Sequence, residues 1–253
     1  MQIQLIRSAT LHIEYAGHTF VIDPDFAAKH TRPSFTGKSP NPMVDLPRAP
    51  QEVIAGIEMV IVSHLHSDHF DRTAQDLLPK DTLILCQPED KQIISAKGFR
   101  NVTPIDQEIN WEGIDIIRTP CEHGSGEVLK EMGNASGFVF RSQNEQTVYW
   151  AGDTIWCEAV ASIISHHRPD IIITHSCGAV WGDHVLIVMD AAQTVTVCKA
   201  ASRSVVVATH MDSFDHATVS RDELRHYAAS QDIPSGQLLI PADGETLVFE
   251  SGR

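Results

Sequence analysis

The sequence of 253 residues predicts a domain of mixed α and β structure, in which short buried strands alternate with helices. Short apolar runs rich in β-branched residues recur along the chain, as they do in buried strands. Between several of them lie segments with helical spacing that begin with typical capping residues. A chain of this length buries roughly three quarters of the surface that its unfolded form exposes, which suffices for one large core. We therefore expect residues 1–253 to form a single domain.

The strands are predicted from apolar runs, alternating or continuous, that end at turn-forming residues. In chain order we expect them at residues 3–7, 10–15, 18–23, 59–62, 82–86, 114–119, 147–151, 171–174, 204–209, 238–240 and 245–249. The segment 59–62 reads Met-Val-Ile-Val and is continuously apolar, which is typical of a buried strand. The turn Ala242-Asp243-Gly244 joins the last two strands.

The helices are predicted from helical spacing together with start and stop residues. We expect them near residues 71–77, 88–97, 159–166, 190–201 and 220–230. Proline is tolerated in the first turn of the second helix, and Gly98 follows its end. The last two helices begin with sequences that resemble capping boxes.

The segment from Ser63 to His69, Ser-His-Leu-His-Ser-Asp-His, is the most informative feature of the chain. Imidazole nitrogens and carboxylate oxygens are ligands for zinc-like divalent ions, and here they follow directly on a buried strand. Alternate side chains of an extended chain point the same way, so His64 and His66 share one direction. Asp68 and His69 come after the turn and point to a second centre. The segment therefore indicates two adjacent metal ions, and a histidine-rich surface turn is the alternative.

Other strand ends must complete two coordination spheres, and three of them supply suitable residues. His123 follows the strand at 114–119, Asp153 follows the strand at 147–151, and His210 follows the strand at 204–209. Gly152 suits a tight turn directly before Asp153.

The ordered series His64-x-His66-x-Asp68-His69, then His123, Asp153 and His210, resembles the metallo-β-lactamase superfamily over nearly the whole chain. The opening residues 7–10 and 21–24 also resemble its small metal-dependent hydrolases. Residues 209–214, Thr-His-Met-Asp-Ser-Phe, are similar to the branch that contains ascorbate 6-phosphate lactonase and the acylethanolamine phospholipase D enzymes. The resemblance implies an α/β protein of α+β type, a four-layer αββα sandwich with the metallo-β-lactamase fold.

The resemblance also implies a ligand set and a chemistry. His64, His66 and His123 would bind one metal ion, Asp68, His69 and His210 the other, and Asp153 would bridge them. Two ions about 3.5–4 Å apart hold a hydroxide for hydrolysis, and Asp68 would orient it and pass its proton to the leaving group. Zinc is the expected ion, with manganese or iron as alternatives.

The function expected from this site is hydrolysis of a small ester-like substrate, either a lactone or a phosphoester. A non-catalytic metal- or ligand-binding protein of the same fold is an alternative, and a nuclease is a third. Specificity must come from residues outside the metal site. His184 is a candidate for contacting substrate, and Asp212 and His216 are candidates for contacting substrate or orienting His210. Each of the three is equally well explained as an exposed or hydrogen-bonded residue.

The proline-rich segment 24–50 is predicted to be a long loop. Loops of this length often act as lids, in which case Phe26, His30, Arg32 and Phe35 would cover the metal site. A solvent-exposed connector is the equal alternative.

Composition limits the partners. The net charge of −14 at pH 7 disfavours long nucleic acid and anionic membranes. We find no signal peptide and no apolar run long enough to cross a bilayer. The five cysteines are widely spaced, as in reduced cytoplasmic proteins. We therefore expect a cytoplasmic enzyme that acts on a small molecule, and the sequence leaves open whether it is a homo-oligomer.

Overall fold

The computed structural model describes residues 1–250, and the last three residues of the expected domain lie outside the described residues. Its strands are β1 (Gln2–Arg7), β2 (Thr10–Tyr15), β3 (His18–Ile22), β4 (Met59–Val62), β5 (Leu83–Cys86), β6 (Asn101–Pro104), β7 (Glu108–Trp111), β8 (Ile114–Pro120), β9 (Ser136–Arg141), β10 (Val148–Trp150), β11 (Ile171–His175), β12 (Val180–Trp181), β13 (Val185–Leu186), β14 (Val205–Thr209), β15 (Leu238–Leu239) and β16 (Thr246–Val248). Its α-helices are α1 (Pro50–Val53), α2 (Arg72–Leu77), α3 (Lys91–Ala96), α4 (Gly126–Met132), α5 (Glu158–His167), α6 (Ala191–Ala200) and α7 (Arg221–Ser230).

Two seven-stranded sheets form the centre of the molecule. The first has the strand order β16-β1-β2-β3-β4-β5-β6, and the second has the order β15-β14-β11-β10-β9-β8-β7. Strands β3 to β6 run parallel to one another, as do β10, β11, β14 and β15. Strands β12 and β13 form a separate antiparallel hairpin.

Three apolar clusters define four layers. One cluster lies between the sheets and joins Phe20 and Ile61 of the first sheet with Phe138 and Trp150 of the second. A second cluster packs helices α5, α6 and α7 on the outer face of the second sheet, and a third packs α1, α2 and α3 on the outer face of the first. The predicted four-layer αββα sandwich is therefore confirmed.

Strand β4 shows how the sequence specifies this layering. Met59 and Ile61 join the cluster between the sheets, whereas Val60 and Val62 join the cluster beneath the helices. Successive side chains of a strand point to opposite faces, so a strand covered on both sides must be apolar at every position. All four residues are fully buried, and the strand is thereby held rigidly at the start of the histidine-rich segment.

The predicted helices and strands are present, with bounds that differ by one or a few residues. The structure adds β6, β7, β9, the short hairpin strands β12 and β13, and the short helices α1 and α4 to the predicted elements. Strand β6 has one buried side chain and β7 has none, so their apolar pattern is weak. Strand β9 contains Phe138-Val139-Phe140, whose aromatic and β-branched residues do favour a strand.

The segment 24–50 is largely irregular, as predicted, with one isolated bridge between Arg32 and Asn41. A search of the described helices finds none that is long and apolar enough to span a membrane.

Candidate metal centre

The candidate ligands converge because each follows a strand end at one edge of the two sheets. His64 begins the segment after β4, Asp153 lies just beyond β10, and His210 lies just beyond β14. Gly152 has a φ of +69°, and a Cβ atom there would lie 2.9 Å from the carbonyl oxygen of Ser136. Glycine is therefore required at the turn that delivers Asp153.

All seven predicted ligands lie in one buried cluster. The ligand atoms of His64, His66 and His123 all lie within 4.8 Å of one another, and so do those of Asp68, His69 and His210. These are the two groups that the resemblance implies.

Asp153 lies between the two groups. Its Oδ2 atom is 3.2 Å from His69 Nε2, 3.4 Å from His123 Nε2 and 3.9 Å from His64 Nε2. The structure thus places Asp153 where a residue shared by two ions would lie.

The outward-facing ring nitrogens of these histidines are held by other groups. His69 Nδ1 lies 2.7 Å from Asp23 Oδ2, and His64 Nδ1 lies 2.9 Å from Ser63 Oγ, which itself donates to Asp23. His123 Nδ1 lies 2.7 Å from the carbonyl oxygen of Ile187. Such contacts fix the ring orientation and direct Nε2 inward, as in metal-binding histidines.

Several of the inward-facing nitrogens are buried without a hydrogen-bond partner in the described residues, and are thus available to bind a metal ion. The Nε2 atoms of His64, His69 and His210 are buried and have no hydrogen-bond partner among residues 1–250. A buried polar atom without a partner costs about 1–3 kcal/mol, so a converging set of such atoms is suited to binding a ligand. Imidazole nitrogens and carboxylate oxygens suit a divalent ion of the zinc type. The residues present therefore fit divalent metal binding.

The electrostatics of the cluster agree with this fit. Burial alone would raise the pKa of the Asp153 and Asp68 carboxyls, but His69 and the neighbouring histidines hold both pKa values well below the usual range. Burial alone would lower the pKa of His69, but Asp153, Asp23 and Asp68 raise it to about 10. Positive charge beside the two buried carboxylates therefore stabilises their ionised form, and divalent ions would supply such charge.

Further residues, to which the sequence pattern assigns no such role, contact the candidate ligands. Asp23, Ser63 and Cys177 contact ligand histidines, the last through Cys177 Sγ at 3.5 Å from His210 Nδ1. His175 places its Nδ1 atom 2.5 Å from Asp153 Oδ1. His175 ends strand β11, so the strand-end pattern that marks Asp153 and His210 also marks His175.

A cavity of about 260 Å³ opens over the cluster. Its floor carries polar groups, and its walls are formed by apolar side chains from three separate segments. The lining residues are Phe35, His66, Ser67, Asp68, His123, Met132, Asp153, Trp181, Ile187 and His216. Among residues 1–250, no lysine or arginine lines this cavity.

The three candidate substrate residues have different outcomes. His216 lines the cavity, so it stays a candidate for contacting substrate. His184 lies exposed at the turn between β12 and β13 and does not line the cavity, so the expectation for it is corrected. Asp212 pairs with Arg221 at 3.0 Å and does not line the cavity either. The residue beside His210 Nδ1 is Cys177 rather than Asp212 or His216.

The four candidate lid residues of the 24–50 loop lie in different environments. Phe35 lines the cavity, and Arg32 donates hydrogen bonds to the Ser67 carbonyl oxygen and to Asp25. Phe26 is buried in the core, and His30 is exposed. Of the four residues, Phe35 is thus the one that lines the cavity, and Arg32 joins the loop to the histidine-rich segment.

Comparisons with known proteins identify the family of this chain and several relatives. The family model described as the beta-lactamase superfamily domain matches residues 18–211. The chain is 37% identical to the UPF0173 protein YddR of Bacillus subtilis (strain 168), over 98% of this chain and all of the relative.

Two solved structures cover almost the whole chain. The isothiocyanate hydrolase from Delia radicum gut bacteria matches with a TM-score of 0.95 and 36% identity, over 100% of both chains. A possible metal-dependent hydrolase from Veillonella parvula DSM 2008 matches with a TM-score of 0.94 and 32% identity, over 98% of this chain and 99% of the other.

Proposed function

We infer that this chain, which belongs to the metallo-β-lactamase superfamily and is a metal-dependent hydrolase, holds two divalent metal ions and hydrolyses a small neutral substrate. The single observation that carries the inference is the convergence of partnerless His Nε2 atoms and two carboxylates under one cavity. We propose zinc as the ion, with manganese or iron as alternatives, because most of the ligand atoms are imidazole nitrogens.

The proposed ligand sets are His64, His66 and His123 for one ion and Asp68, His69 and His210 for the other, with Asp153 shared. When bound, two divalent ions supply hydroxide at neutral pH and stabilise negative charge that develops on the substrate. The chain itself supplies the rigid strand ends and the acceptors for the ligand ring nitrogens, which are the Asp23 carboxylate, the Ser63 hydroxyl and the Ile187 carbonyl oxygen.

Asp68 is the proposed catalytic residue. It is buried in the cluster, and it also lines the cavity in which the substrate would lie. Its Oδ2 atom is 3.4 Å from His210 Nε2 and 4.0 Å from His69 Nε2. A carboxylate in this position accepts a proton from the attacking water and donates it to the leaving atom of the substrate.

The cavity favours a neutral substrate over a phosphoester. A bound phosphate is normally met by arginine, lysine or several aligned backbone N–H groups. The described part of the cavity instead offers Phe35, Met132, Trp181 and Ile187. Such walls suit an apolar substituent, and the charge of −14 adds no attraction for an anion.

Two neutral substrate classes are compatible with attack at carbon. An isothiocyanate, R–N=C=S, reacts with one water to give the amine R–NH₂ and carbonyl sulfide, and the similarity to the isothiocyanate hydrolase makes this class the first candidate. A lactone reacts with one water to give a hydroxy acid, and its ring oxygen leaves in the same way that the nitrogen does. Nuclease activity is disfavoured because it needs a basic surface for the backbone.

A substrate panel tests the proposal. The metal-loaded protein is assayed with a small alkyl isothiocyanate, a five-membered lactone and bis(p-nitrophenyl) phosphate. We expect kcat/KM for a neutral substrate to exceed that for the phosphodiester by at least about 100-fold, because no lysine or arginine lines the described cavity beside the proposed ions, whereas four apolar side chains do. A larger kcat/KM for the phosphodiester would contradict the neutral-substrate assignment, and turnover of none of the three would favour a binding protein.

Trp181→Ala and His184→Ala provide a matched pair within this assay. Trp181 lines the cavity and is held by a 3.0 Å hydrogen bond from its Nε1 atom to Glu131, whereas His184 lies three residues away and outside the cavity. Loss of the indole should raise KM about tenfold, because the indole would cover an apolar part of the bound substrate. Complete burial of an apolar side chain contributes about 1.5–3 kcal/mol of free energy. His184→Ala should leave KM within about twofold.

A further inference from the structure

The carboxylate of Asp215 is a point of attachment for the loop at residues 34–41. Asp215 is 3% exposed, and its Oδ1 atom accepts hydrogen bonds from Phe35 N at 2.9 Å and Asn41 Nδ2 at 2.7 Å. Its Oδ2 atom accepts bonds from Thr36 N at 3.1 Å and Thr36 Oγ1 at 2.8 Å. Further donors to Oδ2 are Ser34 Oγ, Lys38 N and Ser39 N. One side chain thus holds a loop that lies more than 170 residues away in sequence.

The attachment is reciprocal. The backbone N–H of Asp215 donates to Asn41 Oδ1 at 3.0 Å, and Thr36 Oγ1 also lies 3.0 Å from the Asp215 carbonyl oxygen. No ion pair with lysine or arginine involves Asp215 in the described residues 1–250. Neutral donors therefore satisfy this carboxylate, in the manner of backbone nests that bind anions.

The charge of Asp215 persists over a wide pH range. Burial alone would raise the pKa of this carboxyl, but the hydrogen bonds from Ser34, Asn41 and Phe35 lower it well below its usual range. A group whose folded pKa is depressed stabilises the folded state above its unfolded pKa and loses this effect only as pH falls toward the folded pKa. The attachment should therefore persist from neutral to mildly acidic pH.

Two cavity residues adjoin the attachment point. The Phe35 N–H is one of its donors, and His216 follows Asp215 directly in the chain. The Phe35 and His216 rings meet edge to face with centroids 5.1 Å apart, and both residues line the cavity. The loop and the metal-site wall thus meet through this ring pair.

His216 is a cavity residue with an unsatisfied ring nitrogen. It is 7% exposed, and its Nδ1 atom is buried without a hydrogen-bond partner among residues 1–250. Leaving a buried donor or acceptor unsatisfied is costly, and the ring lies in the wall of the cavity that would hold the substrate. The position of His216 relative to Phe35 therefore bears directly on how a substrate lies in the cavity.

We propose that Asp215 is a positioning residue: by holding residues 34–41 it keeps Phe35 and His216 in place around the substrate. The proposal rests on the hydrolase function proposed above. We expect Asp215 to affect substrate binding rather than metal binding. Phe35 and His216 lie in the cavity wall and belong to neither proposed ligand set.

Asp215→Asn tests the proposal in the metal-loaded protein. Asparagine keeps the shape of the side chain but replaces one acceptor oxygen by an NH₂ group that faces the loop donors. We expect KM to rise about tenfold, because only the fraction of molecules with the loop in place binds substrate well. The kcat value should stay within about twofold and the metal content should be unchanged. Amide hydrogen exchange at residues 35, 36, 38 and 39 should accelerate.

Asp45→Asn is the matched control. Asp45 is exposed in the same long loop, and its side chain makes no hydrogen bond or ion pair with residues 1–250. The substitution removes the same charge and should leave KM and hydrogen exchange unchanged. If Asp215→Asn does not fold, Thr36→Val removes the Oγ1 hydrogen bonds while keeping the carboxylate, and should raise KM about threefold.

The outcomes separate this proposal from the function on which it rests. Faster exchange in the loop together with a higher KM supports the role of Asp215. Faster exchange with KM unchanged for every substrate overturns it, while the hydrolase function stands. A wild-type protein with two bound ions and no turnover of the panel contradicts the hydrolase function, and the substrate-positioning role with it.

Discussion

Asp68→Asn should lower kcat by about 10²–10⁴-fold while the protein remains folded. The reason is chemical, since asparagine keeps the size of the side chain and one ligand oxygen but cannot accept and return a proton. Asp68 lies 3.4 Å from His210 and lines the cavity beside Ser67. Loss of its charge should also weaken the ion held with His69 and His210.

The measurement is steady-state kinetics at saturating zinc, with circular dichroism as the check on folding. Asp81→Asn is the control, because Asp81 is exposed and lies outside the cluster and the cavity. Full occupancy by two ions in Asp68→Asn would separate the loss of the proton carrier from the loss of metal. A kcat within about twofold of wild type would contradict the catalytic role of Asp68.

Removal of metal should abolish hydrolysis and lower Tm by about 5–10 °C. A ligand present at about 100 times its Kd adds about 2.7 kcal/mol to the free energy of unfolding, and a domain of this size shifts by about 2–4 °C for each kcal/mol. Without cations, the buried Asp68 and Asp153 carboxylates are balanced only by protonated histidines. Chelation therefore removes charge balance from the interior as well as the catalyst.

Calorimetry before and after dialysis against a chelator provides this test. Dialysis followed by resupply of zinc, manganese or iron should restore both Tm and activity, and the ion that restores most identifies the metal. A chelated protein that retains its Tm and its turnover would contradict a metal-dependent mechanism.

Much of the fold, and the convergence of the candidate ligands, could be predicted because the signals are local. The apolar run at β4 and the histidines directly after it lie within one short segment. His123, Asp153 and His210 each follow an apolar run, so strand ends alone bring them to one edge. The αββα layering then follows from strands such as β4 that are apolar on both faces.

The remaining features depend on contacts that no local pattern encodes. The bonds between Asp215 and residues 34–41 join parts of the chain that only the folded structure brings together. Trp181 and Met132 line the cavity from a short hairpin and a short helix, whose patterns are weak. His184 was selected from the same hairpin, but the turn directs it to solvent.

The number of metal ions per chain tests the central claim most directly. Elemental mass spectrometry should be applied to protein purified without chelator or a metal-binding tag, beside the His66→Ala variant. We expect close to two ions per wild-type chain and clearly fewer in the variant, since His66 completes one of the two ligand groups. Fewer than one ion per wild-type chain, even after resupply of zinc, manganese and iron, would contradict the dinuclear centre and the hydrolytic mechanism built on it.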